Sequence, residues 1–221
     1  EKCNWDVDYV GNPVLDAIKS FKPNPDFLIK EGIDQSKKIV ALLPGSRKME
    51  LKRIIPLMAE VVRKYPELQF VVAAVKNLPG ELYKEIENYS NVKLVFDASY
   101  ELLHVAQAAM VTSGTATLET AIFNVPQVVV YKTGRLEYLI AASVVKVEYI
   151  SLVNLIAGKK VVKELIQREA RLNSVGEELS RLVYDESYRK EMMTAYNLIY
   201  KTLDTGSASE NTAGLMLEYL K

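Results

Sequence analysis

The sequence has little of what disulfide, metal or nucleic-acid chemistry requires. Across 221 residues there is one cysteine, Cys3, and one histidine, His104. A single thiol forms no intramolecular disulfide framework, and such sparing use fits a reducing cytoplasm. One His and one Cys also exclude a zinc site built from those ligands, and no clustered Asp/Glu motif stands in for one, so no metal is expected. Lysine plus arginine equals aspartate plus glutamate at 28 each, a formal net charge of zero. The basic excess of a nucleic-acid binder is missing, which leaves room only for local patches. No apolar run reaches the ~20 residues of a membrane-spanning helix. The nearest, Leu136 to Ile156, is interrupted by Glu137, Lys146 and Glu148. The first five residues, Glu1 to Trp5, include no methionine and no apolar core of a signal peptide, so the chain reads as a piece of something longer. Neither the P-loop spacing G-x-x-x-x-G-K-[ST] nor the nucleophile elbow G-x-S-x-G occurs.

What is present is an ordinary globular composition, 49% hydrophobic and 25% charged. Short apolar runs rich in β-branched residues lie at Ile39 to Leu43, Phe70 to Ala74 and Val128 to Tyr131, with Val92 to Phe96 and Ala109 to Thr112 as further strands. Such runs suit a parallel sheet covered on both faces. Helical patterns fall between them, near Arg47 to Tyr65, Pro79 to Asn88, Tyr100 to Gln107 and Thr115 to Phe123. That alternation at βαβ spacing predicts an α/β fold, a Rossmann-like doubly wound parallel sheet. After Tyr131 the pattern turns helical: Leu136 to Val145, Ser174 to Tyr184, Glu186 to Leu203 and Ala208 to Leu220. The last begins with Ser207 and Glu210 at capping-box spacing. The expected organisation is a Rossmann-like domain over residues 1–167 and a C-terminal helical extension over 168–221.

Two strand-to-helix corners have the composition of anion sites. In Leu42-Leu43-Pro44-Gly45-Ser46-Arg47, Gly45 lets backbone N–H groups approach an anion, Ser46 can cap the helix and Arg47 can bond a phosphate. In Thr112-Ser113-Gly114-Thr115-Ala116-Thr117-Leu118-Glu119, the hydroxyls of Ser113, Thr115 and Thr117 and free helix amides precede an acid placed to accept from sugar hydroxyls. Each corner alone is equally an ordinary capped turn. Two in one sheet favour a phosphorylated ligand bound at the strands' carboxyl ends. A third segment, Tyr149 to Gly158, carries one amide, Asn154, in an apolar stretch, which suits a structural asparagine satisfying loop backbone. His104 has no acid at a useful spacing and reads as structural. Cys3 and Trp5 read as packing residues, and the scattered tyrosines as amphipathic packing.

Taken in order, Tyr9-Val10-Gly11-Asn12-Pro13, LLPGSR with Glu50, SGTATLE, and Ser151 to Gly158 followed by Val161 to Gln167 resemble the C-terminal half of lipid-A-disaccharide synthase, a GT-B-type inverting glycosyltransferase. The resemblance runs from about Tyr9 to Gln167. It implies transfer of diacylglucosamine from its UDP derivative to diacylglucosamine 1-phosphate, with no cofactor. The UDP-sugar-binding set it implies is Gly45, Ser46, Arg47, Ser113, Gly114, Thr115, Ala116, Glu119 and Asn154. The corners would hold the diphosphate, Glu119 the ribose, and Asn154 would lie near the donor. The catalytic groups and the acyl pocket would belong to an N-terminal half outside this chain, leaving the fragment inactive. The family also implies a lipid acceptor and peripheral attachment to the cytoplasmic face of the bacterial inner membrane, and the missing half leaves room for a homodimer. Two positions depart from the family pattern: Asn12 replaces histidine in G-H-P, and Val153 replaces proline in S-L-P-N. The rival readings are an enzyme like UDP-N-acetylglucosamine 2-epimerase and a non-catalytic UDP-sugar-binding module.

Overall fold

Runs of β-branched and small apolar residues become the central strands of the sheet here because both faces of each are covered. The computed structural model describes residues 7–134 and 148–220. Six strands among these form one parallel sheet: β1 (Ile39–Leu43), β2 (Gln69–Ala74), β3 (Val92–Phe96), β4 (Ala108–Thr112), β5 (Gln127–Tyr131) and β6 (Lys163–Ile166). Their order is β3-β2-β1-β4-β5-β6, so the winding direction reverses between β1 and β4. In open sheets of this kind the crevice at that reversal is where ligands bind.

The period-2 alternation of side chains divides the strands β1, β2 and β4 between two cores. In β1, Val40 and Leu42 join one hydrophobic cluster, while Ile39, Ala41 and Leu43 join the other. Phe70, Val72 and Ala74 of β2 oppose Val71 and Ala73 in the same way. The first cluster is completed by α3 (Lys48–Lys64), α8 (Leu172–Tyr184) and α9 (Glu186–Leu203) through Ile54, Met58, Leu179, Leu182, Tyr196 and Ile199. The second is closed by α5 (Ser99–Val105) through Leu102 and Leu103, with Phe27 of α2 (Phe27–Lys30) and Ile33. A short helix α4 (Lys84–Glu87) precedes β3, α6 (Thr115–Ile122) joins β4 to β5, and α7 (Leu152–Ala157) precedes β6.

All five strands expected from the sequence are present, within a residue at each start. Helices α8, α9 and α10 (Ala208–Tyr219) fall where the helical patterns lie. The expected helix Leu136 to Val145 lies outside the described residues. The sixth strand, β6, reads Lys-Glu-Leu-Ile and, among the described residues, pairs only with β5. Charged residues on an edge strand discourage further pairing, and they also hide its strand character in the sequence. The chain also opens with α1 (Pro13–Ser20), whose N-cap Asn12 accepts from the Val14 N–H at 3.0 Å, with proline at the first helical position.

Helix α10 is tied down at its start, Ala208 being its one buried residue. Ser207 Oγ accepts from the Glu210 N–H at 3.2 Å, as its spacing predicted. The Asp16 carboxylate of α1 accepts from the N–H groups of Ala208 at 3.3 Å and Ser209 at 3.1 Å. These bonds, the Ser209 N–H foremost, hold the Asp16 carboxyl below the usual carboxylate range. Beside them Lys19 pairs with Asp204 at 2.6 Å.

Candidate nucleotide-sugar site at the switch point

The β1–α3 and β4–α6 corners converge on one cavity of about 450 Å³ at the carboxyl edge of the sheet. Its floor is made by strand ends, Leu43, Ala73 and Thr112. Gly45, Ser46, Arg47 and Glu50 line one side, and Ser113, Gly114, Thr115, Ala116 and Glu119 the other. Eight of the nine residues implied by the resemblance therefore share one cavity.

The first corner is shaped by Gly45. Its φ is +97°, a left-handed conformation, and a Cβ placed there would fall on the Glu50 carboxylate. That carboxylate accepts from the Arg47 N–H at 3.3 Å and from its guanidinium at 3.2 Å. Helix α3 begins at Lys48 with Arg47 as N-cap, so Ser46 does not cap it as its residue type suggested. Glu50, three residues into the helix, reaches back instead. Ser46 is left exposed on the cavity wall. The Arg47 side chain is 83% exposed, with most of its donors directed to solvent, so the acid beside it orients the guanidinium without occluding it.

The second corner leaves backbone bare. Gly114 is the N-cap of α6 at φ +151°, and an added Cβ there meets nothing within 4 Å. No side chain caps the helix, so its Thr115 and Ala116 N–H groups stay at the positive end of the helix dipole without a side-chain acceptor, while the Thr117 N–H donates to the Gly114 carbonyl at 3.2 Å. Thr117 turns inward, its hydroxyl donating to the Gly114 carbonyl at 2.8 Å. Ser113 donates to the Ile150 carbonyl at 2.9 Å, which fixes its oxygen while leaving lone pairs free. Glu119, one turn in, is half-buried, and burial raises its carboxyl above the usual range. It in turn raises the phenol of Tyr100, whose own burial acts first.

Asn154 is the residue the cavity does not include. It is fully buried with both ends of its amide in use. Its oxygen accepts from the N–H groups of Val161 at 2.7 Å and Val162 at 2.9 Å. Its nitrogen donates to the Val162 carbonyl at 2.9 Å and to Glu164 at 2.8 Å. Its amide is thus wholly engaged within the loop, and Asn154 is not among the residues that line the cavity. Val153 beside it is fully buried in the main core, where a branched apolar chain fills volume. His104 is exposed and packs edge-on to Phe21 at 6.3 Å. Sequence reasoning passed over Ser99, which opens α5 and lines the cavity. Its one visible signal is its place just after a strand's carboxyl end.

Six parallel strands, a Rossmann order and two glycine corners at the reversal define a Rossmann-like α/β fold of the GT-B type. Solved structures agree on that fold. S. aureus MnaA in a UDP co-structure superposes at a TM-score of 0.62 and 19% identity, covering 96% of this chain and 52% of that one. The glycosyltransferase SnogD from Streptomyces nogalater gives 0.54 and 19%, covering 89% and 48%. A family model described as lipid-A-disaccharide synthetase matches residues 1–216, and the chain belongs to that family. The lipid-A-disaccharide synthase of Persephonella marina is 36% identical over 223 residues, covering 96% of this chain. The chain spans 59% of the length of that relative and of its counterpart in Geobacter sulfurreducens.

Proposed function

We propose that this cavity holds the UDP portion of a UDP-linked acylated glucosamine, and that the chain is the donor-binding half of a lipid-A-disaccharide synthase. The observation that carries the reading is the facing of Gly45 and Gly114 across one cavity at the switch point. In the whole protein an acceptor hydroxyl of diacylglucosamine 1-phosphate attacks the anomeric carbon of UDP-diacylglucosamine. Its proton passes to a base on the acceptor side, and the bond to the diphosphate breaks with inversion, its electron pair leaving on the phosphate oxygen. Arg47 and the α6 amides stabilise the charge that develops there. Glu119 accepts from the ribose hydroxyls. Residues 1–167 form the donor-binding unit, and 168–221 are an extension packing on it or on the remaining part. The base and the acyl pocket lie in that remaining part, so this chain alone binds UDP without turnover. Lipid substrates place the whole protein at the inner face of the bacterial inner membrane.

Calorimetric titration with UDP tests the reading. Arg47→Ala and Glu119→Ala should each weaken binding about tenfold, roughly 1.4 kcal/mol. UDP affinity indifferent to both substitutions would remove the site. Incubating the full-length protein with UDP-N-acetylglucosamine and finding C2 inversion would favour the epimerase chemistry instead.

A further inference from the structure

Glu164 of β6 stands outside the cavity, yet it is the hub of the loop that reaches it. Its carboxylate accepts four hydrogen bonds: from the N–H groups of Ile150 at 2.9 Å and Ser151 at 3.0 Å, from the Ser151 hydroxyl at 2.6 Å, and from the Asn154 amide at 2.8 Å. The Ser151 oxygen then caps α7, accepting from the Asn154 N–H at 3.3 Å. Asn154, in the same first turn of α7, fastens the helix to Val161 and Val162, just ahead of Glu164 itself. The loop is thus closed on one acid. The same Ile150 whose N–H binds Glu164 offers its carbonyl to Ser113 at 2.9 Å. One residue's backbone therefore bridges the carboxylate to a hydroxyl that lines the cavity.

We propose that Glu164 is a positioning residue for the nucleotide corner, acting through Ile150 on Ser113. The inference rests on the reading of the cavity as a UDP site. A carboxylate suits the task because it accepts only, so four donors converge on it with none opposed. Charge assistance makes each bond stronger than a neutral one. Held this way, the Ile150 carbonyl fixes the Ser113 oxygen before ligand arrives, and a preorganised polar group binds without an ordering cost. Asn154, in this arrangement, influences the donor by holding the loop.

The experiment is a double-mutant cycle on UDP affinity by calorimetry. Glu164→Gln replaces one accepting oxygen by a donor, so at least one of the four donors loses its partner. UDP affinity should fall about tenfold in the folded variant. Ser113→Ala removes the last link, and in that background Glu164→Gln should cost no further affinity, although it still lowers the melting temperature. A structural role alone predicts equal losses in both backgrounds. Should Glu164→Gln fail to fold, hydrogen exchange on the unaltered chain replaces it. UDP should slow exchange at the Ile150 and Ser151 amides, and this protection should vanish in Ser113→Ala. A folded Glu164→Gln variant with unchanged affinity, additive losses, or no UDP-dependent protection at Ile150 overturns the inference while leaving the site intact. Failure of the unaltered chain to bind UDP overturns both.

Discussion

Replacing Gly45 by alanine should separate backbone strain from the loss of a helix-start contact. At φ +97° an L-residue costs about 1–2 kcal/mol. The new methyl also lands on the Glu50 carboxylate, the arm that accepts from the Arg47 N–H and guanidinium. Driving that arm away forfeits a capping interaction of about 1 kcal/mol. The sum, about 2–3 kcal/mol, corresponds to roughly 4–12 °C in melting temperature for a chain of this size. In a Glu50→Ala background the methyl has no carboxylate to displace, so the same substitution should cost only the backbone part. Gly114→Ala is the control: φ is +151° but no atom lies within 4 Å of the new Cβ. It should cost the backbone strain alone, yet weaken UDP binding by setting a methyl against the first amides of α6. Thermal melts followed by circular dichroism read the first quantity and calorimetry the second. A Gly45→Ala variant melting within a degree of the parent, or losing as much stability without Glu50 as with it, refutes the reasoning.

Three further outcomes follow from the same geometry. Burial raises the Glu119 carboxyl, so its contribution to stability is complete below the ordinary glutamate value and is lost as pH rises through the folded one. Glu119→Gln, a permanently neutral mimic, should therefore melt higher than the parent at neutral pH, with the gap closing toward acid, while binding UDP more weakly. A variant that is less stable at neutral pH would show that the carboxylate is held by partners rather than penalised by burial. Asn154→Ala strands the buried Val162 N–H and the part-buried Val161 N–H and should cost about 2–3 kcal/mol. Asn154→Asp should be no milder at neutral pH, since it sets an oxygen against Glu164 and the Val162 carbonyl. Denaturant titration at neutral and acidic pH checks this, and a benign aspartate would contradict the assigned amide orientation. Finally, the Asp16 carboxyl is held low by the α10 amides. Its support is present above the ordinary aspartate value and disappears as pH falls through the lowered one. Asp16→Asn should speed hydrogen exchange across α10 at neutral pH while leaving the sheet protected. Unchanged α10 exchange would mean that the helix is anchored elsewhere.

Most of the sheet was legible because burial on both faces leaves an unmistakable trace, a short run of Val, Ile, Leu and Ala between turns. β6 escaped for the converse reason: an edge strand needs only Leu165 in the core, and Lys163 and Glu164 do other work. The corners were legible as a pair, since a glycine beside hydroxyls follows a strand in each, although either one alone reads equally as an ordinary capped turn. Which hydroxyl does what was not legible. Ser46 and Ser113 look alike in sequence, yet one is exposed at the cavity wall and the other is bound to a carbonyl 37 residues away.

Local composition alone thus determined five of the six described strands, most of the helices and the two glycine turns, because backbone propensity and side-chain periodicity act over a few neighbouring residues. Only the tertiary structure decided that both turns face one cavity, that Glu50 rather than Ser46 reaches back at the start of α3, and that Asn154 is consumed by Val161, Val162 and Glu164. Those outcomes depend on strand order and on which donors meet which acceptors across the fold. Hydrogen-bond partners far apart in the chain leave no periodic mark in the sequence, so their pairing appears only once packing brings them within 3 Å or so of each other.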